Sequence, residues 1–225
     1  MSDPIPYIIG IFHVTGAIIS LFGFLILIYD AFVAEDRRSP GHITLSITFL
    51  AGCLFQSLLT LKLFISPSLA IWYWLVSDLA HLFGLFTASC ILILALVLFQ
   101  VRWMYKFPFI VPIPFLGIFF VRIFYPDSVI VFEVYYIVCS VFVTFLAATY
   151  YLKLYAELRI LNHGIYITSS LVFMAGNIFE ILGGQMQMLE LVAVGAMLQA
   201  LFFVAVFATT LNLADVLVSE DVHYA

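Results

Sequence analysis

Asp78 and His81 lie three residues apart in Trp74-Leu-Val-Ser-Asp78-Leu-Ala-His81-Leu-Phe, inside a long apolar run. On a helix, side chains at i and i+3 share a face, so the carboxylate can orient the imidazole, or the two can hold a cation or a proton between them. An aspartate at the centre of a hydrocarbon-spanning helix costs about 2.5–3.5 kcal/mol, and such residues mark ligand sites, ion paths or proton sites. Six further polar side chains interrupt comparable runs: His13, Gln56, Glu133, Asn177, Glu180 and Gln199. Together the eight form the expected ligand- or ion-binding set.

Each of these residues also has a structural reading. His13 stands on a stripe of small residues, Gly10, Gly16, Ala17 and Ser20, which faces other helices and can leave a neutral histidine bonded to a neighbour. Glu133 and Glu180 fall near helix ends, where a carboxylate can reach water, and Arg122 is a partner for Glu133 across Tyr125-Pro-Asp-Ser128. Asn177 and Glu180 share a helix face, and Gln199 alone reads as a polar link between helices. Two histidines with carboxylates suit a transition metal, but no His-x-x-x-His occurs. Haem held between His13 and His81 would need a slot, which Gly16 and Gly84 could line. Ser77 and Ser89 stand near His81, but nothing else marks a nucleophile, and no catalytic residue is assigned.

The elements that must position these groups follow from composition. Only 9% of the 225 residues are charged and 65% are hydrophobic, against about 25% charged in a soluble domain, so the chain reads as an all-α integral membrane protein. A net charge of -5 leaves no basic face for nucleic acid. Cys53, Cys90 and Cys139 all fall inside apolar spans and read as packing residues. The acidic start, Met1-Ser-Asp-Pro, lacks the positive region of a secretory signal, so the first span is expected to remain in the mature protein.

Runs of about 20 apolar residues predict seven spans, near 7 to 30, 43 to 65, 72 to 101, 107 to 125, 129 to 153, 164 to 184 and 190 to 213. Arg37 and Arg38, Arg102 and Lys106, and Lys153 and Arg159 occupy alternate connections, which predicts an outside N-terminus and a cytoplasmic C-terminus, in a plasma or cytoplasmic membrane. Trp72 and Trp74 against Trp103 set the depth of the third span, placing His81 roughly 10 Å outward of the midplane. The eight polar residues then share the outer half, while Ile91 to Phe99 and Leu201 to Phe207 seal the inner half. Pro108, Pro112 and Pro114 predict a bent fourth helix, and Gly183-Gly184 a break after the sixth.

A shift of 124 positions sets Ser46-Ile-Thr-Phe-Leu-Ala-Gly-Cys-Leu-Phe-Gln56-Ser-Leu58 against Ser170-Leu-Val-Phe-Met-Ala-Gly-Asn-Ile-Phe-Glu180-Ile-Leu182, with six identities in thirteen. This pattern predicts a parallel repeat, spans one to three (7 to 101) duplicated as five to seven (129 to 213), with 107 to 125 as connector, all in a single domain. The three-plus-one-plus-three plan resembles that of microbial rhodopsins and the PQ-loop sugar transporters in helix count and orientation. The resemblance implies a cavity between the halves. It does not carry over a retinal Schiff base, which needs a lysine in the seventh helix where the last lysine here is Lys153, nor a Pro-Gln motif, which does not occur. The zinc pattern of seven-helix membrane hydrolases needs more intramembrane histidines than His13 and His81.

These features predict a sensor or receptor-like membrane protein that binds a small ligand, ion or proton in an outer pocket. With only Val216 to Ala225 after the last span, it would signal through a membrane or cytoplasmic protein partner. A small-solute or proton-coupled transporter, and a hydrophobic anchor subunit of a redox complex, are the alternatives.

Overall fold

A computed structural model describes residues 4–33, 40–65, 70–98, 111–125, 129–158 and 161–221. Among the described residues there are seven α-helices and no strand: α1 (Ile5–Val33), α2 (Pro40–Phe64), α3 (Ala70–Leu98), α4 (Pro112–Phe124), α5 (Val129–Leu158), α6 (Leu161–Gln185) and α7 (Leu189–Asp221). All but α4 are long and apolar enough to cross a membrane. Their outward faces carry large exposed apolar side chains, such as Ile11, Ile18, Phe22 and Leu25 on α1 and Val134, Val138, Phe142 and Phe145 on α5. Water would not tolerate so much continuous apolar surface, whereas hydrocarbon matches it. The chain is therefore an integral, multi-pass membrane protein in contact with lipid.

Six of the seven expected spans are matched by helices long enough to cross a membrane, and the described part of the fourth is shorter. At 13 residues, α4 is roughly 20 Å long, short of the roughly 30 Å hydrocarbon thickness. Pro112 and Pro114 fall in its first turn, where a missing N–H has no intrahelical partner to lose, so they open the helix instead of bending it. Positions 107 to 110 of the expected span, Pro108 among them, lie outside the described residues. The Tyr135 hydroxyl donates to the Val111 carbonyl at 2.9 Å and ties the start of α4 to α5.

The other helices close a ring in the order α1, α2, α3, α5, α6, α7 and back to α1, with α4 lodged against α3 and α5. Side-chain contacts fix the directions. Gly10 meets Leu63, Gly16 meets Gln56 and Gly23 meets Phe49, so α1 and α2 run antiparallel. His81 against Tyr136, followed by Tyr151 donating to the Ile91 carbonyl, shows α3 and α5 running parallel. Every residue of α3 from 87 to 96 is buried, as for a helix surrounded on all sides. By contrast α1 buries only one stripe, Ile9, His13, Gly16, Ser20, Gly23 and Leu27, at helical spacing.

The two aligned segments are in step at Ser46 and Ser170, Phe49 and Phe173, and Gly52 and Gly176, all buried. They fall out of step further on: Phe55 is buried where Phe179 is exposed, and Ser57 is exposed where Ile181 is buried. Burial therefore carries the match over only part of its length.

Candidate functional site

Five of the eight expected residues are joined by direct hydrogen bonds. The His13 Nδ1–H donates to Gln56 Oε1 at 2.7 Å, and Gln56 Nε2 donates to Gln199 Oε1 at 3.0 Å. Gln199 Nε2 then donates both to Glu180 Oε2 at 2.6 Å and to Asn177 Oδ1 at 3.0 Å. Asn177 Nδ2 donates onward to Ser140 Oγ at 3.0 Å. The chain of bonds links α1, α2, α7, α6 and α5 across the ring. Gln56 and Gln199 are completely buried, and His13 and Asn177 nearly so. Unsatisfied amides in such surroundings would cost several kcal/mol each, which is why every one of them meets a partner on another helix. Interhelical bonds of this kind contribute about 0.6 kcal/mol each on average in a membrane protein, and up to about 1.7.

Close backbone approach brings the partners into reach. At Gly16 an added Cβ would sit 3.2 Å from the Gln56 side chain, so the missing side chain on α1 leaves room for the amide. At the α6–α7 contact, Gly176 and Gly195 face each other: a Cβ on Gly195 would lie 2.7 Å from the Glu180 nitrogen and 2.8 Å from the Gly176 carbonyl oxygen. With the backbones this near, Gln199 spans Asn177 and Glu180 at once. The register comes from a tight turn in which Gln187 N–H donates to the Gly184 carbonyl and Met188 N–H to the Gly183 carbonyl. The expected break at Gly183-Gly184 is thus displaced: both glycines are helical, and Gln187, at φ 55°, takes the left-handed position. Gly183 instead admits the Val192 backbone.

Asp78 and His81 stand at the same level but on the α3 side. Both are buried, and the His81 ring lies against Tyr136 of α5 with centroids 4.5 Å apart. The Tyr136 hydroxyl fills the notch at Gly84, where a Cβ would meet it at 2.6 Å, while Glu180 lies within electrostatic reach of the same tyrosine. Tyr136 therefore stands between His81 and the Glu180 end of the bonded chain. The notches expected to line a haem slot are occupied, Gly16 by Gln56 and Gly84 by Tyr136 and Phe55. Glu133 is set apart, half-exposed and bonded to Gln185 at the end of α6. The side chain of Arg122, its expected partner, lies outside the described residues. Among the described residues no three His, Cys, Asp or Glu side chains gather as a metal site.

No protein-family model, curated protein or solved structure matches the chain. The site must be read from its own geometry.

Sequence reasoning missed Ser140 and Tyr136, whose types are unremarkable in apolar helices; only the depth shared with His81 and Asn177 could have singled them out. It also passed over His42 and His163, buried near the opposite ends of α2 and α6. Toward that end, below the polar layer, the centre is aromatic. Phe173 touches Phe55, Phe202 and Phe203, and Phe49 touches Phe207 in an edge-on contact. Further on, the Tyr151 and Tyr166 rings stack at 5.1 Å.

Proposed function

We propose that this protein is a membrane sensor whose responsive element is the polar layer centred on Gln199, and which passes its state to a partner protein. The carrying observation is the chain of direct hydrogen bonds that runs from His13 to Gln199 and branches there to Glu180 and, through Asn177, to Ser140, tying five helices to two ionisable groups. A small ligand, ion or proton that alters either end changes the bonds of helices far from it. The aromatic layer beneath supports sensing over transport, because ring contacts among Phe55, Phe173, Phe202 and Phe203 leave the layer closed on that side. Asp78, His81 and, at the rim, Glu133 complete the proposed set, with Tyr136 coupling the first two to the rest.

The end at which α1 begins is the outside in this reading, because in the sequence Arg37 and Arg38 follow α1, Arg102 and Lys106 follow α3, and Lys153 and Arg159 fall at or just after the end of α5, and the membrane is the plasma or cytoplasmic membrane. The alternative, transport of a small solute or of protons, draws on the ring order: α1–α2–α3 and α5–α6–α7 meet at two seams, α3 with α5 and α7 with α1, about which the halves of a repeat could rock.

Vesicles loaded with a pH-sensitive dye separate the readings. A sensor leaves proton entry at the level of protein-free vesicles, while hydrogen exchange in the connections at the Tyr151 end responds to external pH and loses that response in Gln199→Leu. Protein-dependent proton entry abolished by Asp78→Asn would establish the transporter and sink the sensor.

A further inference from the structure

Below Gly176 and Gly195, where α6 and α7 meet backbone to backbone, the lipid-facing side of the pair opens into a groove of about 520 Å³. Its walls are Ile165, Ser169 and Val172 of α6 and Phe202, Ala205 and Ala208 of α7. The size falls in the range of about 300–1,000 Å³ usual for small-molecule sites. The mouth opens sideways, since Thr168, Val204 and Ala208 along it are all exposed on a surface that meets hydrocarbon. On the core side the groove is shut, because Phe202 packs on Phe173 and Phe203.

Ser169 is out of keeping with the other wall residues. It is 3% exposed and lies roughly 9 Å inside the apolar span that begins at His163, well within hydrocarbon. A serine or threonine in an apolar helix commonly turns its hydroxyl back onto the carbonyl four residues earlier. Both chain neighbours do this, Thr168 onto Gly164 and Ser170 onto Tyr166. Among the described residues Ser169 makes no such bond, nor one to another helix. Ser20 and Ser89 are also unbonded, but their hydroxyls are sealed in the packing, whereas Ser169 lines an open groove. Its donor is presented to whatever occupies that space.

The walls restrict the occupant. No charged side chain borders the groove, so an ionic or zwitterionic headgroup would lose its hydration there without a partner. A phospholipid tail offers only methylene groups at this depth. A transmembrane helix from a second copy has no spare backbone acceptor, since its carbonyls are bonded within the helix. Either would leave the Ser169 hydroxyl as it is. An uncharged lipophile with one oxygen, a carbonyl or a hydroxyl set among apolar carbons, satisfies both the walls and the serine.

We infer that the groove between α6 and α7 is a binding site for a neutral, bilayer-dissolved lipophile, which enters from the hydrocarbon and accepts a hydrogen bond from Ser169. The site is separate from the polar layer and does not depend on the sensor reading. It begins one turn from Gly176 at Val172 and within a turn of Gln199 at Phe202, so its occupant rests against the helix pair that the amides tie.

The test uses the full chain in vesicles of saturated phosphatidylcholine and two photoreactive probes of equal length, a long-chain ketone with its carbonyl near mid-chain and the matching alkane. Peptide mass spectrometry reads the labelled positions. The ketone is expected to label 164–172 and 201–208 saturably and to be displaced by unlabelled ketone, while the alkane labels every lipid-facing helix in proportion to its concentration. Ser169→Ala is expected to weaken ketone binding about three- to fifteen-fold, as for loss of one hydrogen bond inside a membrane, with labelling of α1 unchanged. Ala208→Phe fills the mouth from an exposed position and is expected to abolish saturable labelling in a chain that unfolds as the wild type does. Labelling by both probes alike would reduce the groove to a surface covered by bulk lipid. Protection from both, with cross-links between copies, would assign it to a second copy. A saturable ketone site indifferent to either substitution would not be this groove, and each of these results overturns the inference.

Discussion

The layer around Gln199 and the aromatic layer beneath it are held together by different physics within the same helices. In the upper layer α6 and α7 touch backbone to backbone at Gly176 and Gly195, and side-chain amides bridge what remains. In the lower layer the gaps are filled by rings: Phe49 lies against Gly23, and Phe203 against Gly52. A ring can shift by a few tenths of an ångström, whereas a backbone cannot move without its helix. A ring contact also has no preferred direction, while a hydrogen bond has a donor and an acceptor. The difference teaches that directional bonds couple the helices of the upper layer, whereas those of the lower layer are coupled by shape alone.

Two glycine substitutions give the sharpest contrast, because the added Cβ meets its neighbour at nearly the same distance. Gly195→Ala places it 2.7 Å from the Glu180 nitrogen, and is expected to lower unfolding stability in detergent by about 3 kcal/mol, the upper end of ordinary overpacking. Gly23→Ala places it 2.8 Å from the edge of the Phe49 ring, and is expected to cost about 1 kcal/mol. Equal losses would erase the distinction between the layers.

Gln199→Leu comes between them in size. It removes the bonds to Gln56, Asn177 and Glu180, and at about 0.6 kcal/mol each the loss is about 2 kcal/mol, measured by the same unfolding titration. A loss confined to a few tenths would show that these amides are not the links they are drawn as. Smallest of all is Glu133→Gln, at the half-exposed rim, where the change is expected to stay within about 0.5 kcal/mol. A larger effect there would extend the bonded layer to the end of the bundle.

Much of the upper layer was legible in the sequence because polar residues in hydrocarbon are few and their depth can be counted from helix ends. His13, Gln56, Asn177, Glu180 and Gln199 were all placed at one level on that ground, and the small-residue stripe on α1 correctly turned His13 inward. What depth cannot give is azimuth. Asp78 and His81, the more conspicuous pair, lie on the α3 side against Tyr136, while Gln199, which reads as an isolated link, is the hub where three bonds meet. All seven helices followed from apolar runs, but the start of α4 did not, since its prolines signal a kink or a beginning equally well and only the described start at Pro112 distinguishes them. The in-step part of the two aligned segments likewise reflects packing that the letters share, and their divergence at Phe55 and Phe179 depends on neighbours that the letters do not name.

The central claim is that the bonded layer acts as a unit, and a double-mutant cycle on the unfolding stability of His13→Ala and Glu180→Ala tests it most directly. Neither residue bonds the other, and residues without shared partners normally add to within about 0.3–0.5 kcal/mol. The account predicts a coupling energy above about 0.5 kcal/mol that disappears when the cycle is repeated in a Gln199→Leu background. Additivity in the wild-type background would contradict it, leaving His13 and Glu180 as two separate buried groups that happen to share a depth.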